Sequence, residues 1–442
     1  MKKADQIRLW CTCNPVKTIV IVAVFVRLLI VILYGHVTLY PDSEDYRALA
    51  ERLQDFNPAG YEGARPPGYP LLLCMAGLSN FVTVIFQLVM GAGTLVVAYK
   101  TLLLLDADKK TALIVTVSAA VYLPAVFFEF AILTETFTLL IITLIFRLLF
   151  GIVKGGTAGS GSYVWLALLC VCLVLIKMFY IYLAALLFLL LLWHNYQSGK
   201  LISGKYTMVL LAPLFVFLGW SYVNKLNTGY FVPTTFYGFN IAQNCVRFAD
   251  KTTDEYREIG ETYAKYRDEH SGEKEIAMTI WEACPELAER TGLSFPGLSK
   301  KLYDYSIATI RKNPADYLEQ VFISWRDFWK TSLYWETDSF SISGSKVVVA
   351  YVCYAERIVL QLVKILFVLL MPYNMIAALR KREMTPEAII SLAALTASLL
   401  QAFATYGTNS RFSYPFEILM ATSVALNLSE YCKHRTERKT AR

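Results

Sequence analysis

Residues 163–193 read YVWLALLCVCLVLIKMFYIYLAALLFLLLLW, an apolar stretch whose one formal charge is Lys177. A helix rises about 1.5 Å per residue and a bilayer's hydrocarbon core is about 30 Å thick. The stretch is therefore too long for one straight crossing and short for two. Its flanks decide between them. Lys154 lies before it and Lys200 with Lys205 after it. Short basic connections stay on the cytoplasmic side, so the chain must cross an even number of times between these flanks. The stretch reads as a hairpin of two short helices with Lys177 near its outer tip. A single tilted helix would reverse every later crossing.

Working outward, 56% of the 442 residues are apolar and only 17% are charged, a balance foreign to soluble domains. Uncharged runs at 66–99, 111–128, 155–176, 206–224 and 388–410 match or exceed the roughly 18 residues that nominate a span. Spans are expected at 18–39, 80–104, 110–128, 131–150, 163–177, 178–193, 206–226, 347–373, 387–406 and 412–429. Threading these ten in alternation places Lys109-Lys110, Lys154, Lys200, Lys205, Arg380-Lys381-Arg382 and the tail from Lys433 to Arg442 in the cytoplasm. Lys2, Lys3, Arg8 and Lys17 precede the first span, which reads as an uncleaved anchor with the N-terminus inside. The net charge of +7 sits in these connections, not on an aromatic-interleaved patch, so it indicates orientation and no nucleic acid is expected as a partner.

The fold class is an all-α polytopic membrane bundle of about ten helices. An N-terminal transmembrane module, 1–226, carries a first outer loop at 40–79; a mainly helical outer loop domain covers 227–346; the last spans and basic tail cover 347–442. In the first loop, Leu71 to Leu78 reads as lying along the membrane surface. In the large loop, helical patterns fall near 254–268, 273–290 and 298–330, the last interrupted at Asn313-Pro314. No internal repeat appears, which weighs against the repeated architecture of many transporters. Of nine cysteines, only Cys245 and Cys284 lie in the large loop, where a disulfide would need an oxidising compartment and suitable geometry.

Chemistry is sought first among charges beside the membrane. Asp42, Glu44 and Asp45 follow span one in Tyr40-Pro-Asp-Ser-Glu-Asp-Tyr46; Asp42 or Ser43 as a simple helix cap is the competing reading. Glu135, in Leu133-Thr-Glu-Thr-Phe137, stands at the end of an apolar span, where a carboxylate marks a functional cavity unless interfacial water solvates it. Glu129, in the turn before it, carries the same two readings. Arg65, Lys177 and Arg411 are three cations on the same side, suited to a phosphate head group, with snorkelling as the alternative for Lys177 and Arg411. Arg27, deeper in span one, is expected to pair with an acid from another span.

Several segments resemble the GT-C superfamily of membrane glycosyltransferases that use polyprenyl-phosphate sugars, especially the protein O-mannosyltransferase and lipid A aminoarabinose transferase branch. They are Arg27-Leu28, Pro41-Asp42-Ser43 with Tyr46 and Ala50, Arg65-Pro-Pro-Gly-Tyr-Pro-Leu71, Leu133-Thr-Glu135, Asn224 and Gly229 with Tyr237-Gly-Phe-Asn240, Ile310 to Tyr317, and Arg411-Phe-Ser-Tyr-Pro415. The first-loop match is the specific one. The resemblance implies an inverting transfer from a lipid-phosphate sugar donor to an acceptor hydroxyl on a glycan, lipid or protein. Asp42 would be the base, with Glu44, Asp45 and Glu135 as supporting acids. Arg65, Lys177 and Arg411 would bind the donor phosphate, and Tyr46, Tyr69, Tyr237 and Asn240 would line the substrate pocket. Asp42 and Glu135 would be the ligands if a divalent cation such as Mg or Mn is used, though no ligand set requires one. Ser43 stands where relatives often carry a second acid. The resemblance also implies a multi-pass protein of the bacterial inner membrane, surrounded by lipid, its site facing the periplasm or exterior. The alternative is a transporter or flippase of a lipid-linked sugar, which would place its ionisable groups near the bilayer midplane.

Overall fold

The computed structural model describes residues 10–155, 159–197, 204–270, 276–407 and 409–440. Lys2, Lys3, Arg8, Lys200, part of the 273–290 pattern, and the tail side chains beyond Lys433 lie outside the described residues.

The helices of the bundle and the large loop are numbered α1 to α20 in chain order. The first ten are α1 (Pro15–Leu33), α2 (Pro41–Gln54), α3 (Gly68–Met75), α4 (Asn80–Leu104), α5 (Lys109–Val121), α6 (Leu123–Phe130), α7 (Glu135–Gly155), α8 (Ser160–Ile176), α9 (Ile181–Gln197) and α10 (Gly204–Thr228). The large loop contributes α11 (Tyr237–Gln243), α12 (Arg257–Asp268), α13 (Thr279–Glu282), α14 (Cys284–Thr291), α15 (Phe295–Lys312) and α16 (Pro314–Phe328). The chain ends with α17 (Ser345–Lys381), α18 (Pro386–Ala404), α19 (Asn409–Ser413) and α20 (Glu417–Thr440). Seven elements among the described residues are long and apolar enough to cross a membrane, eight if α5 and α6 are one bent span. The 17-residue α8 and the 24-residue α20 occupy the remaining two expected positions. The expected span 110–128 is not straight. It bends by 51° between α5 and α6, where Pro124 in the first turn of α6 disrupts helix continuity, and Glu356 accepts a hydrogen bond from the freed Leu123 N–H at 2.8 Å.

The hairpin at 163–193 is present. Lys177 takes an extended conformation between α8 and a short 3-10 turn, Met178–Tyr180, that leads into α9. Direct contacts fix which helix ends share a side. At one end Lys154 pairs with Asp106, and Gln197 donates to the Arg382 carbonyl, joining four of the basic connections in two pairs. At the other end Ser341 N–H donates to Leu33 O at 2.9 Å and Tyr317 hydroxyl to Phe403 O at 2.8 Å, so the large loop lies where α1 and α18 finish. The first loop lies there too, because Thr235 N–H donates to Gly63 O at 2.9 Å.

The large loop has its own core, with Phe239 stacked on Trp281 at 4.5 Å and Phe295 at 4.9 Å. Its last helix does not stay above the bundle. Along α16, Trp325 Nε1 donates to Ser398 of α18 at 3.1 Å, and Phe328 and Trp329 join the core formed by the spans. The chain returns through 331–344, where Glu336 N–H donates to the Tyr34 hydroxyl at 3.1 Å. Cys245 is buried and Cys284 half-buried, and both are free thiols, so the expected candidate disulfide is not formed.

Candidate active site

Three acids and three cations meet at the end of the bundle that faces the large loop. Pro41 opens α2 at a position where its fixed φ suits a helix start and its missing N–H is no loss. The local bond at this start belongs to Ser43, whose hydroxyl accepts from Tyr40 N–H at 3.0 Å and donates to Ile132 O at 2.8 Å. Asp42 is thereby left for the cations. Arg65 Nη2 donates to Asp42 Oδ1 at 2.6 Å, and Arg411 Nη1 to Asp42 Oδ2 at 2.7 Å. Arg65 also holds Asp45 through Nε and Nη2 at 3.1 and 2.9 Å. Arg411 grips Glu135 with Nε at 2.6 Å and Nη2 at 3.1 Å, and Lys177 Nζ reaches the same carboxylate at 2.7 Å.

The result is one continuous line, Asp45–Arg65–Asp42–Arg411–Glu135–Lys177. Its formal charges cancel, which is what allows six ionised groups to gather where Glu135 is fully buried and Arg411 nearly so. Asp42 is the accessible acid of the inner pair, its side chain 28% exposed against 0% for Glu135. Burial pushes the Asp42 carboxyl up, but Arg411 and Arg65 outweigh it and hold the group well below the usual carboxylate range. Asp45 goes the other way: burial dominates its single Arg65 partner, and the neighbouring Asp42 charge raises it further.

Packing explains the proline-glycine motif. A Cβ on Gly68 would lie 2.6 Å from the Leu175 carbonyl carbon and 2.7 Å from Ile176 N, so only glycine lets the first loop sit on the backbone just before Lys177. Arg65 is held between the rings of Tyr46 and Phe236, 5.0 and 4.4 Å from their centroids. Tyr334, from the returning segment, lies 5.8 Å from the Arg411 guanidinium, and Phe412 flanks Lys177 at 5.3 Å. Phe236 and Tyr334 were not singled out from sequence. Nothing in their local patterns marks them, since both reach the site from the distant loop.

The other expected residues are placed differently. Glu44 is exposed and makes no hydrogen bond or ion pair to the cluster among the described residues, though its charge adds to the upward push on Asp45. Tyr69 is fully buried and donates to Gln87 at 2.9 Å, so it is a core residue beneath the site. Tyr237 packs on Tyr303 inside the loop domain, and Asn240 is one turn further along the same helix. Neither makes a described contact with the charge line. Glu129, in neither a turn nor water, closes a bidentate pair with Arg27 at 2.5 and 2.8 Å, the span-to-span partner expected for that arginine. The Arg411 guanidinium lies between Asp42 and Glu135 and bonds both, and no group of three or more candidate metal ligands occurs among the described residues.

The fold of this chain is similar to that of solved oligosaccharyltransferase structures, and its long apolar helices are those of an integral multi-pass membrane protein. The archaeal oligosaccharyltransferase AglB from Archaeoglobus fulgidus, solved with an inhibitory peptide and a dolichol-phosphate, superposes over 98% of this chain at 13% identity and a TM-score of 0.50. The apo Archaeoglobus fulgidus oligosaccharyltransferase does so over 97% at 14% identity, also at 0.50. The chain spans about half the length of these structures, 52% in each case. ArnT from Cupriavidus metallidurans, in the apo state, aligns over 94% of this chain and 78% of its own at 11% identity, with a TM-score of 0.36. No protein-family model and no curated protein matches the sequence.

Proposed function

We propose that this protein is an inverting glycosyltransferase that moves a sugar from a polyprenyl-phosphate carrier to an acceptor hydroxyl. The transfer would take place at the face of the membrane covered by the large loop. The observation that carries the reading is the single charge line drawn from α2, the 61–67 loop, α7, the α8–α9 tip and α19, on a fold shared with a protein solved holding a dolichol-phosphate.

Asp42 accepts the proton of the acceptor hydroxyl as that oxygen bonds to the anomeric carbon. The bond from that carbon to the phosphate oxygen breaks, and its electron pair leaves on the phosphate. One displacement inverts the carbon and needs a single base, unlike the paired carboxylates of hydrolases. Arg411, Lys177 and Arg65 supply charge-assisted hydrogen bonds where negative charge grows on the leaving group.

In the free protein Asp42 is a poor base because both its oxygens are engaged. A phosphate that draws Arg411 toward itself removes one of those bonds and raises the basicity of Asp42, so activation of the base follows donor binding. The acceptor is a glycan, lipid or protein of the cell envelope, chosen by the large loop, and basic connections on the far side orient the site toward the periplasm or exterior. Mass spectrometry of envelope glycans, lipids and proteins from cells with and without the chain tests the reading. One sugar-bearing species should vanish and return on complementation, and an unchanged profile would remove the proposal.

A further inference from the structure

Glu135 raises a question the proposed reaction does not answer. Its carboxylate is fully buried and its hydrogen bonds come from Arg411 and Lys177. These are the cations that the donor phosphate is proposed to engage. If they turn toward the phosphate, a buried carboxylate loses its partners, which is among the least tolerable states in a low-dielectric site. Either the cations cannot move or other donors take their place.

Candidate donors lie beside it in the chain and next to its lysine partner. Thr134 Oγ1, Thr136 Oγ1 and the Tyr180 hydroxyl are buried polar atoms with no hydrogen-bond partner. The residues are 0%, 1% and 1% exposed. Two of them flank Glu135 in the chain at the start of α7. Tyr180 sits one turn beyond Lys177 in the α8–α9 tip, its N–H donating to the carbonyl of the lysine whose ammonium holds Glu135. Buried hydroxyls are ordinarily satisfied, and an orphan calls for an explanation. Here two of them adjoin the most buried carboxylate of the site in the chain, and the third lies one 3-10 turn past Lys177, which bonds that carboxylate. Thr134 is particularly telling. A threonine immediately before a helix usually caps it with its side chain, whereas this one gives only its carbonyl, accepting from Thr138 N–H at 2.9 Å, and keeps its hydroxyl unused.

We propose that Tyr180, assisted by Thr134 and Thr136, is a standby hydrogen-bond donor for Glu135. The hydroxyls take over the carboxylate as an incoming phosphate draws Lys177 and Arg411 away. The role rests on the proposed donor-phosphate site. It makes Tyr180 a positioning residue that acts through Glu135 without touching the substrate. The orphan hydroxyls are then the unliganded half of an exchange whose other half is the phosphate-bound site.

The test uses the full chain purified in detergent, with a polyprenyl monophosphate as the probe and thermal unfolding read across a ligand titration. Tyr180→Phe removes an unsatisfied buried hydroxyl, so without ligand its melting temperature should equal or exceed that of the wild type. Its affinity for the polyprenyl phosphate should fall about 10-fold or more, since a hydrogen bond to a charged group is lost only in the bound state. A purely structural role would move both readouts in the same direction. Thr136→Val should show the same opposed signs, more weakly. In a Glu135→Gln background the loss from Tyr180→Phe should shrink to less than 2-fold. Unchanged affinity in Tyr180→Phe, or a lower melting temperature without ligand, overturns the standby role while leaving the donor site intact. Failure of the wild-type chain to bind the polyprenyl phosphate overturns the donor reading itself, and this role with it.

Discussion

Arg411→Met is the perturbation that bears most directly on the charge line. Methionine keeps much of the side-chain volume but deletes three hydrogen bonds, one to Asp42 and two to Glu135. Asp42 is left with Arg65, and Glu135, 0% exposed, with Lys177 alone. Three acids then face two cations, and the buried line carries a net negative charge. Removing one partner from a buried pair costs about 3–5 kcal/mol. Because each acid retains a second cation, the lower end applies, about 3 kcal/mol. Unfolding of the purified protein in a denaturing detergent gradient, followed by tryptophan fluorescence, measures this. The decisive comparison is the double variant Arg411→Met/Glu135→Gln. It removes the orphaned charge along with the guanidinium and should recover at least about 1 kcal/mol relative to the sum of the single variants. If the single effects add to within about 0.5 kcal/mol, the two groups are not coupled and the charge line has no energetic meaning.

Further expectations follow from other contacts. In Gly91→Ala the new Cβ would sit 1.9 Å from Glu129 Oε1 and 2.8 Å from Arg27 Nη2, so the buried Arg27–Glu129 pair must separate, at a cost of roughly 3 kcal/mol or more; a melting temperature equal to wild type would show that the pair is not packed as described. The Asp42 carboxyl is held below its ordinary value of about 3.9, so its contribution to stability is complete at neutral pH and drains away only as the pH falls below about 4. Asp45 is shifted upward, so Asp45→Asn should leave stability at pH 7 unchanged or improved while Asp42→Asn lowers it, and the reverse order in thermal melts would contradict the assignment of the two acids. Ser43→Ala deletes the tie from α2 to the Ile132 carbonyl; with a net cost of about 1 kcal/mol it should lower transfer rate more than stability, and equal proportional losses would argue against a positioning effect.

The sequence shows the spans because lipid demands unbroken apolar helices. The expected 80–104 matches α4 residue for residue, and the parity of the flanks demands the hairpin whose tip holds Lys177. It shows Asp42, Arg65, Glu135, Lys177 and Arg411 as separate charges in apolar surroundings, each anomalous on its own. What joins them is tertiary: Arg411 meets Asp42 across 369 positions of chain, a distance no local pattern reports. The same holds for Phe236 over Arg65 and for α16, whose amphipathic pattern resembles a surface helix although its last turn is buried among the spans. The α5–α6 bend was the most legible feature missed, since Pro124 lies within the expected span and removes a helix donor there.

The central claim, that Asp42 takes the acceptor proton in a sugar transfer, is tested most directly by complementation of cells lacking the chain, with the missing sugar-bearing species quantified by mass spectrometry. Wild type should restore it, and Asp42→Asn, present in the membrane at equal amount and folded, should not. Full restoration by Asp42→Asn would contradict the account.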